Sequence, residues 1–428
     1  MDLGSLFFYL FAIVSTVYVI HLGFYLTGAN FYDIWHFKHL RRQRHKKHVA
    51  TKDQPLVTIA ISAHNEEKVI ARSLDSIRRS THRNLQVIIA DDGSKDDTLK
   101  LVRRYIKHHP RQNIHIYPMP TNMGKGAALN YILSRYAKGE FVMTLDADSI
   151  ISPDTVANAI SYFDDPTIAG VAANVQIIEE PNVLGILQKF EHMIGYRSKK
   201  IYSLLNCEFV VGGVASTYRM SVLREVNFYD TDTMTEDIGL SLKIVSRGNR
   251  THRMVYGVDV HAMTEGVETF KGLLRQRFRW KYGSLQNLIK YSHLIGNSGR
   301  QFTPSLTYYR MPMAVLSELA LFMAPIIWGY ALYITFSQRT LTLVVGAYLT
   351  ITIYTFITLW WDEHASFKDR LRLSLFVPVS YFIFYIMDFI QLVSIIRCLS
   401  KAHHLLSRKD TGGTWISPTR IGRQVTPG

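Results

Sequence analysis

The sequence predicts an α/β domain inserted between transmembrane helices, and three observations lead to this fold class. Of the 428 residues, 47% are apolar and only 19% are charged, whereas about 25% charged residues are typical of a soluble domain. The apolar residues concentrate in long segments at the two ends of the chain. Between residues 55 and 300, short β-branched segments alternate with helical patterns, and this alternation predicts a parallel sheet covered by helices on both faces.

The net charge of +15, from 49 Lys and Arg against 34 Asp and Glu, is compatible with nucleic acid or an anionic membrane as partner. Many of the basic residues flank the apolar segments, at residues 36–48, 275–281, 368–372 and in the C-terminal tail. This placement predicts contact with a lipid bilayer and no nucleic-acid partner. The two cysteines, Cys207 and Cys398, exclude a disulfide scaffold and a four-cysteine zinc site, and they fit a protein that faces the reducing cytosol.

Residues 1–30 are predicted to form the first transmembrane helix. The apolar segment 3–26 would be about 36 Å long as a helix, and a bilayer core is roughly 30 Å thick. A cleaved signal peptide is the alternative, but the segment lacks the positively charged start of such a peptide. The basic juxtamembrane segment 31–54 follows, and the positive-inside rule places it in the cytoplasm together with the domain after it.

Residues 306–400 are predicted to hold three further transmembrane helices. Their apolar segments lie at residues 312–336, 341–361 and 373–396, and each is long enough to span a bilayer. The basic loop at residues 368–372 and the basic tail at residues 401–428 are each expected on the cytoplasmic side. A single span separates them, however, which would place them on opposite sides of the bilayer. The sequence therefore predicts the number of spans and leaves the side of the tail open.

The predicted α/β domain, residues 55–265, begins with alternating strands and helices. The strands are predicted at residues 56–63, 85–90, 115–117 and 141–145. The helices between them are predicted at residues 66–79, 96–109 and 125–136. A longer amphipathic helix at residues 183–205 is interpreted either as lying on the membrane or as an ordinary surface helix. An interfacial segment, residues 266–305, leads to the C-terminal helices.

Polar side chains stand where three of the predicted strands end. These are the cluster around Asn65 and Glu66, the pair Asp91-Asp92, and the motif Asp146-x-Asp148. Ligands of parallel α/β sheets bind at the carboxyl ends of the strands. Two carboxylates separated by one residue on an extended segment point to opposite sides, so one can face a divalent metal while the other contacts a ribose hydroxyl.

The phosphate-binding motifs of other nucleotide enzymes are not found in the sequence. It has no Gly-x-Gly-x-x-Gly turn and no P-loop, which disfavours a dehydrogenase and a P-loop NTPase. Instead, Gly124-Lys125-Gly126 opens a predicted helix, where backbone N–H groups and the positive helix end favour a phosphate. A plain turn into a surface helix is the alternative interpretation.

Five short motifs occur in a fixed order along the chain. They are Asp92, Asp146-x-Asp148, Val211-Gly212-Gly213-Val214, Thr235-Glu236-Asp237 and Gln276-x-x-Arg279-Trp280. With this set the chain, from about residue 56 to 280, resembles the processive family 2 glycosyltransferases, which include the membrane synthases of cellulose, chitin, hyaluronan and poly-N-acetylglucosamine. Through residues 229–237 and 413–418 it is most similar to the bacterial poly-β-1,6-N-acetylglucosamine synthases.

The resemblance implies a cytoplasmic GT-A nucleotide-diphospho-sugar transferase domain and assigns a role to each motif residue. The implied donor and nucleotide contacts are Asn65, Glu66, Asp92, Lys125, Asp146 and Arg279. The implied acceptor and product contacts are Gly212, Gly213, Gln276 and Trp280. Asp148, with Asp146, would bind Mg²⁺ or Mn²⁺, and Asp237 would be the general base, with Glu236 as the alternative.

The function that the resemblance implies is processive, inverting polymerisation of N-acetylglucosamine from UDP-GlcNAc into a β-linked exopolysaccharide, together with its translocation. Its partners would be the UDP-sugar, the growing polysaccharide, the plasma-membrane bilayer and a small accessory membrane subunit. The alternatives are a non-processive transferase that glycosylates a lipid carrier, a synthase of hyaluronan, chitin or cellulose, and a non-catalytic membrane scaffold or transporter.

Charged residues inside and beside the predicted spans raise a further expectation. Glu318 and Asp388 lie within spans, where ionisable groups usually face a polar path or a partner, so they are candidates to line a glycan channel or to contact another helix or subunit. In the segment from Arg275 to Lys281 we expect Gln276, Arg279 and Trp280 to face inward. Arg275, Arg277 and Lys281 are expected to face outward.

Overall fold

A computed structural model describes residues 54–178, 182–339, 341–362 and 365–401, positions 403 and 405, and scattered positions between 5 and 36. The scattered N-terminal positions are helical. The basic segment 37–53 and the tail beyond residue 405 lie outside the described residues, as does much of the predicted first span.

An eight-stranded mixed sheet forms the centre of the domain, in the order β3-β2-β1-β4-β7-β6-β8-β5. The strands are β1 (Val57–Ala63), β2 (Leu85–Asp91), β3 (Ile114–Pro118), β4 (Phe141–Asp146), β5 (Ile150–Ile151), β6 (Ile168–Ile178), β7 (Ser216–Arg219) and β8 (Arg253–Glu265). Strands β1 to β4 pair in parallel. Strand β7 is antiparallel to β4 and β6, and β5 is antiparallel to β8.

Twelve labelled helices in the described part of the chain surround this sheet or follow it. In the domain they are α1 (Ile70–Arg78), α2 (Thr98–His108), α3 (Lys125–Tyr136), α4 (Thr155–Tyr162), α5 (Val183–Leu204), α6 (Met220–Glu225), α7 (Glu236–Val245) and α8 (Phe270–Lys290). After a short 3₁₀ helix (Ser292–Leu294) and a π-helix (Ser305–Arg310), the chain continues with α9 (Met311–Ser337), α10 (Thr342–Trp360), α11 (Phe367–Ser374) and α12 (Val377–Ser400).

The alternation of side chains along β1 explains why its sequence is apolar throughout. Ile59 and Ile61 pack into one apolar core with α1 and α4, whereas Ala60 packs into a second core on the opposite face with α3. Successive strand residues point to opposite faces, and both faces are covered here. The four predicted strands and the first three helices are therefore confirmed. The expectation of a purely parallel sheet is wrong, because β5 and β7 run antiparallel.

Helix α5 connects the domain to the C-terminal helices. Leu187 packs with residues of α8 and α12, and Phe190 packs with residues of α10, α11 and α12. The apolar face of α5 is thus covered by other helices of the same chain. This packing matches neither interpretation of residues 183–205, a helix lying on the membrane or an ordinary surface helix, because other helices cover the apolar face. Those partners follow more than 70 residues later in the chain, so the local sequence does not predict the contact.

The C-terminal helices carry many exposed apolar side chains. On α9, α10 and α12 the exposed ones include Leu319, Tyr333, Phe336, Leu349, Ile353, Phe356, Phe382, Ile386 and Phe389. Phe336 is 79% exposed. By length and composition, one helix in the described part, Val377–Ser400, can cross a membrane, and the apolar helix Val344–Trp360 is shorter.

Candidate active site

The carboxyl ends of β1, β2 and β4 lie side by side at one edge of the sheet. Ser62 of β1 is in register with Asp146 at the end of β4, and Ala63 with Asp91 of β2. The backbone N–H of Asp92 donates to the carbonyl oxygen of Ala63 at 2.8 Å. The predicted gathering of carboxylates at this edge is confirmed.

Asp92 organises the loop that enters α3. Its Oδ1 accepts a hydrogen bond from the backbone N–H of Met123 at 2.7 Å, and its Oδ2 accepts one from Gly124 at 3.0 Å. Burial raises the pKa of Asp92 above its usual range, although both hydrogen bonds act in the opposite direction. Two backbone donors at the start of α3, where the sequence predicts a phosphate, are therefore bonded to Asp92.

Asn65 and Glu66 follow β1 and differ in exposure. Glu66 is buried and lines the pocket that Asp92 and Lys125 also border. Asn65 is exposed, and its Oδ1 accepts a hydrogen bond from the backbone N–H of Lys95 at 2.8 Å. Of the two predicted nucleotide contacts, Glu66 lies in the pocket and Asn65 holds the loop beside it.

Lys125 places one positive charge among three carboxylates. Its Nζ lies 2.5 Å from Oδ1 of Asp146 and 3.5 Å from Oε1 of Glu236. Burial alone would lower the pKa of Lys125, but Asp146, Glu236 and Asp237 together raise that pKa above its ordinary value. The side chain therefore stays protonated and ties the end of β4 to the start of α7 (Glu236–Val245).

Asp146 and Asp148 are the donor set predicted for a divalent cation. Oδ1 of Asp148 accepts hydrogen bonds from the hydroxyls of Ser149 and Thr264, at 2.9 and 3.3 Å. Both aspartates line the same pocket, and carboxylate oxygens suit Mg²⁺ or Mn²⁺. Among the described residues, no group of three or more His, Cys, Asp or Glu side chains is arranged to hold a metal. The two carboxylates fit a cation that takes its remaining ligands from a diphosphate and water.

Asp237 stands in the first turn of α7 and faces a cavity of about 470 Å³. Its Oδ1 accepts a hydrogen bond from the backbone N–H of Ile238 at 2.8 Å. Burial and the neighbouring Glu236 raise the pKa of Asp237 to about 6, while Lys125, the Ile238 hydrogen bond and Arg279 act in the opposite direction. A carboxylate with a pKa near the working pH is suited to general-base catalysis.

At Gly213 the backbone runs beside this charged centre. A Cβ atom added to Gly213 would lie 2.6 Å from Nζ of Lys125 and 3.7 Å from both Oδ1 of Asp146 and Oδ2 of Asp237. At the neighbouring Gly212, an added Cβ would meet nothing within 4 Å. Of these two glycines, which both line the cavity, a side chain would displace the ammonium of Lys125 only at Gly213.

Helix α8 carries the Gln276-x-x-Arg279-Trp280 motif along the cavity. Gln276, Arg279 and Trp280 all line it, and Arg279 also borders the pocket that holds Asp92. Oε1 of Gln276 is buried and has no hydrogen-bond partner within the described part of the protein. The inward orientation predicted for these three residues is confirmed.

The orientation predicted for two other basic residues of α8 is wrong. Arg275 is exposed as expected, but Arg277 forms two hydrogen bonds with Glu191 of α5, at 2.7 and 2.6 Å. Lys281 forms an ion pair with Glu318 of α9 at 2.8 Å. Both face inward because α5 and α9 cover this side of α8 and supply the two carboxylates.

The two predicted channel residues lie in different surroundings. Glu318 borders the cavity together with Gln391 of α12. Asp388 is exposed on α12, beside the exposed Phe389, and is not among the residues that line the cavity. The cavity therefore extends from Asp237 to the C-terminal helices, and Glu318 alone of this pair faces it.

The second half of α8 holds the loop before Asp237 in place. This contact is not predicted from the sequence. Asn287 is fully buried, and its Nδ2 donates to both the carbonyl oxygen and the hydroxyl of Thr235. A Cβ on Gly283 would lie 2.4 Å from Oγ1 of Thr235. The backbone N–H of Met234 donates to Oε1 of Gln286 at 2.9 Å. The spacing of Gly283 and Asn287, four residues apart on one helix face, is the sequence signal that points to this contact.

Asp230 fixes the other end of the same loop. Lys243, Lys290 and the hydroxyl of Tyr291 donate hydrogen bonds to its carboxylate at 2.7 to 2.8 Å. Burial alone would raise the pKa of Asp230, but these three donors lower it. The loop that leads to the Thr235-Glu236-Asp237 motif at the start of α7 is thus anchored to α7 and to the end of α8.

Residues 58–226, most of the α/β domain, match the family described as glycosyl transferase family 2. The chain carries a family 2 glycosyltransferase domain. The protein is accordingly a glycosyltransferase enzyme, as the order of its motifs predicts.

Two curated relatives of this glycosyltransferase are named poly-β-1,6-N-acetyl-D-glucosamine synthase. The protein from Staphylococcus epidermidis is 28% identical over 392 residues, which cover 85% of this chain and 87% of the relative. The protein from Staphylococcus aureus strain COL is 28% identical over 263 residues, covering 61% of this chain and 60% of the relative. The predicted similarity to this group of synthases is confirmed.

A solved structure shares the fold of the enzyme. It is a mannosyltransferase from Pyrobaculum calidifontis in complex with GDP-mannose and Mn²⁺. The TM-score is 0.53 at 24% identity, and the match covers 83% of this chain and 99% of the mannosyltransferase. With the mixed sheet, this likeness establishes the GT-A fold.

Proposed function

We propose that the enzyme is a processive, inverting membrane glycosyltransferase that polymerises N-acetylglucosamine from UDP-GlcNAc into a β-linked polysaccharide and passes the product towards the bilayer. The observation that carries this proposal is the cavity that begins at Asp237 and continues to Glu318 and Gln391 on the C-terminal helices. The names of the two curated relatives support the sugar and the polymer.

In the proposed reaction, the hydroxyl of the acceptor sugar attacks the anomeric carbon of the donor sugar, and UDP leaves from the opposite side. Asp237 takes the hydroxyl proton. One base suffices, because the leaving diphosphate needs no proton from a second carboxyl group. Glu236 is the less suitable base, since it lies 3.5 Å from the ammonium of Lys125.

The donor is proposed to bind in the pocket between the strand ends and α8. Glu66 and Asp92 would face the nucleoside, and Lys125 and Arg279 would bind the diphosphate because they are a lysine and an arginine that border this pocket. Asp146 and Asp148 would hold Mg²⁺ or Mn²⁺, which neutralises charge on the leaving diphosphate when bound.

The acceptor is proposed to occupy the large cavity, with Gly212, Gly213, Gln276 and Trp280 as its walls. Trp280 offers an apolar ring face on which a sugar can stack. Oε1 of Gln276, which is buried without a partner in the described part of the chain, would accept a hydrogen bond from an acceptor hydroxyl.

The exposed apolar side chains of α9, α10 and α12 support insertion of these helices into a bilayer. Such a large apolar surface is unusual on a soluble monomer. In this arrangement the catalytic domain lies in the cytoplasm, at the inner face of the plasma membrane. The cavity then leads from the cytoplasmic site to the membrane helices, which suits export of the polymer.

The proposal is tested with the full-length protein purified in lipid nanodiscs and a panel of radiolabelled UDP-sugars with Mg²⁺ or Mn²⁺. We expect UDP release and a long labelled product from UDP-GlcNAc alone, with its linkage identified by digestion with linkage-specific hydrolases. EDTA should abolish the product. A product that carries one added sugar, or a long product from another UDP-sugar, would contradict the proposal, as would the absence of UDP release.

A further inference from the structure

Arg277, at the second position of the Gln276-x-x-Arg279-Trp280 motif, lies against the indole of Trp280. The guanidinium carbon of Arg277 is 4.3 Å from the centroid of the Trp280 ring. Residues three apart on a helix share a face, and a guanidinium at this distance is attracted to the ring. One part of the indole surface is therefore occupied by a side chain of the same helix.

Glu191 of α5 holds the guanidinium in place. Both of its carboxylate oxygens accept hydrogen bonds from Arg277, at 2.7 and 2.6 Å. The side chain of Arg277 is only 7% exposed. A two-pronged pair of this kind fixes the plane of the guanidinium as well as its position, so the orientation of Arg277 is set by a helix outside its own.

Trp280 is partly exposed, and it lines the cavity that also contains Asp237. Since Arg277 is anchored by Glu191, rotation of the indole out of its present orientation would separate the ring from the guanidinium. The ring thus lies against a fixed cation and borders the cavity.

We propose that Arg277 is a positioning residue for the acceptor: anchored by Glu191, it lies against Trp280 and holds the indole in the orientation in which it stacks on the acceptor sugar. This inference rests on the proposed function, in which Trp280 contacts the acceptor. It adds Arg277 and Glu191, which line the same cavity, as the pair that sets the geometry of that contact.

The test is Arg277→Lys, which keeps the positive charge and removes the flat, forked guanidinium. With UDP-GlcNAc saturating, we expect the KM for a β-1,6-linked N-acetylglucosamine pentasaccharide to rise about five- to ten-fold, while the KM for UDP-GlcNAc changes less than about two-fold. The matched control is Arg275→Lys, at an exposed position of the same helix, which should leave both KM values unchanged. An unchanged acceptor KM in Arg277→Lys would overturn the inference.

A double-mutant cycle separates positioning from general structural support. If Arg277 acts through Trp280, then Arg277→Lys added to Trp280→Ala should raise the acceptor KM no further than Trp280→Ala alone. Glu191→Gln should reproduce the effect of Arg277→Lys. Fully additive effects would contradict a role through Trp280. If Trp280→Ala leaves the acceptor KM unchanged, both this inference and the proposed acceptor contact are overturned. If Trp280→Ala raises the acceptor KM but Arg277→Lys does not, only this inference is overturned.

Discussion

The side-chain amide of Asn287 donates hydrogen bonds to both the carbonyl oxygen and the hydroxyl of Thr235, at 3.0 Å each. Thr235 immediately precedes α7, which begins with Glu236 and Asp237. The helix that carries Asn287 also carries Trp280, which lies less than one turn before Gly283. Helix α8 therefore fixes the candidate base and the candidate acceptor platform relative to each other.

Gly283→Ala should disturb this contact without unfolding the domain. The new Cβ would lie 2.4 Å from Oγ1 and 2.7 Å from the backbone nitrogen of Thr235, so the start of α7 must move. Small misplacements of catalytic groups cost about ten- to hundred-fold in rate, and we expect a loss of this size in UDP release. The control is Gly195→Ala on α5, where an added Cβ meets nothing within 4 Å and activity should be retained. Equal activities of the two variants would contradict the role of α8.

Gly213→Ala should affect the charged centre, because the new methyl group would lie 2.6 Å from Nζ of Lys125. The ammonium must shift to make room, and because it contacts Oδ1 of Asp146 at 2.5 Å, we expect that ion pair to be disturbed. We expect weaker UDP-GlcNAc binding by isothermal titration calorimetry, with a KM raised on the order of ten-fold and little change in thermal stability. Gly212→Ala, with open space around its Cβ, is the matched control. A Gly213→Ala enzyme with wild-type donor affinity would argue against this geometry.

The pH dependence of polymer synthesis should report the ionisation of Asp237. Burial and Glu236 raise the pKa of Asp237 to about 6, and a general base is active only when deprotonated. The rate should therefore rise as the pH increases through about 6 and level off above it. Initial rates measured between pH 4.5 and 8 at saturating donor, on enzyme first shown to be stable over that range, provide the check. A rate that stays nearly constant from pH 8 down to pH 5, as expected for a base with the ordinary aspartate pKa near 4, would be inconsistent with the raised pKa.

Glu318→Gln should change the length and export of the polymer more than the rate of sugar transfer. The variant removes the carboxylate that pairs with Lys281 at 2.8 Å, and it leaves a cation unpaired beside the proposed path of the polymer. We expect shorter chains by gel analysis and less polymer on the cell surface. Glu225→Gln, at an exposed position of the domain, is the control. Normal chain length and export in Glu318→Gln would remove Glu318 from the proposed channel.

The first half of the domain follows from its local sequence. Helix α3 occupies the predicted residues 125–136, since its apolar residues repeat with the helical period. Strands β1, β2 and β4 are short apolar segments, and their polar ends gather because parallel strands share one carboxyl edge. These features depend on residues that are close in sequence.

The antiparallel strands and the ion pairs of α8 depend on distant residues. Strand β7 pairs with β4, which lies about 70 residues earlier, and the local sequence gives no direction of pairing. Arg277 and Glu191 are 86 residues apart, and Lys281 and Glu318 are 37 apart. Basic residues on a helix with unknown neighbours are expected to face solvent or lipid. The inward orientation of Arg277 and Lys281 therefore cannot be predicted from the local sequence.

The central claim is that Asp237 is the base of a polymerising transferase, and its most direct test compares Asp237→Asn with the wild-type enzyme. The two are nearly isosteric, so UDP-GlcNAc affinity should stay within about two-fold, while polymer synthesis should fall by about 10²- to 10⁴-fold. Glu236→Gln should retain a larger share of the rate. Polymer synthesis by Asp237→Asn at a near-normal rate, with Glu236→Gln inactive, would contradict the claim.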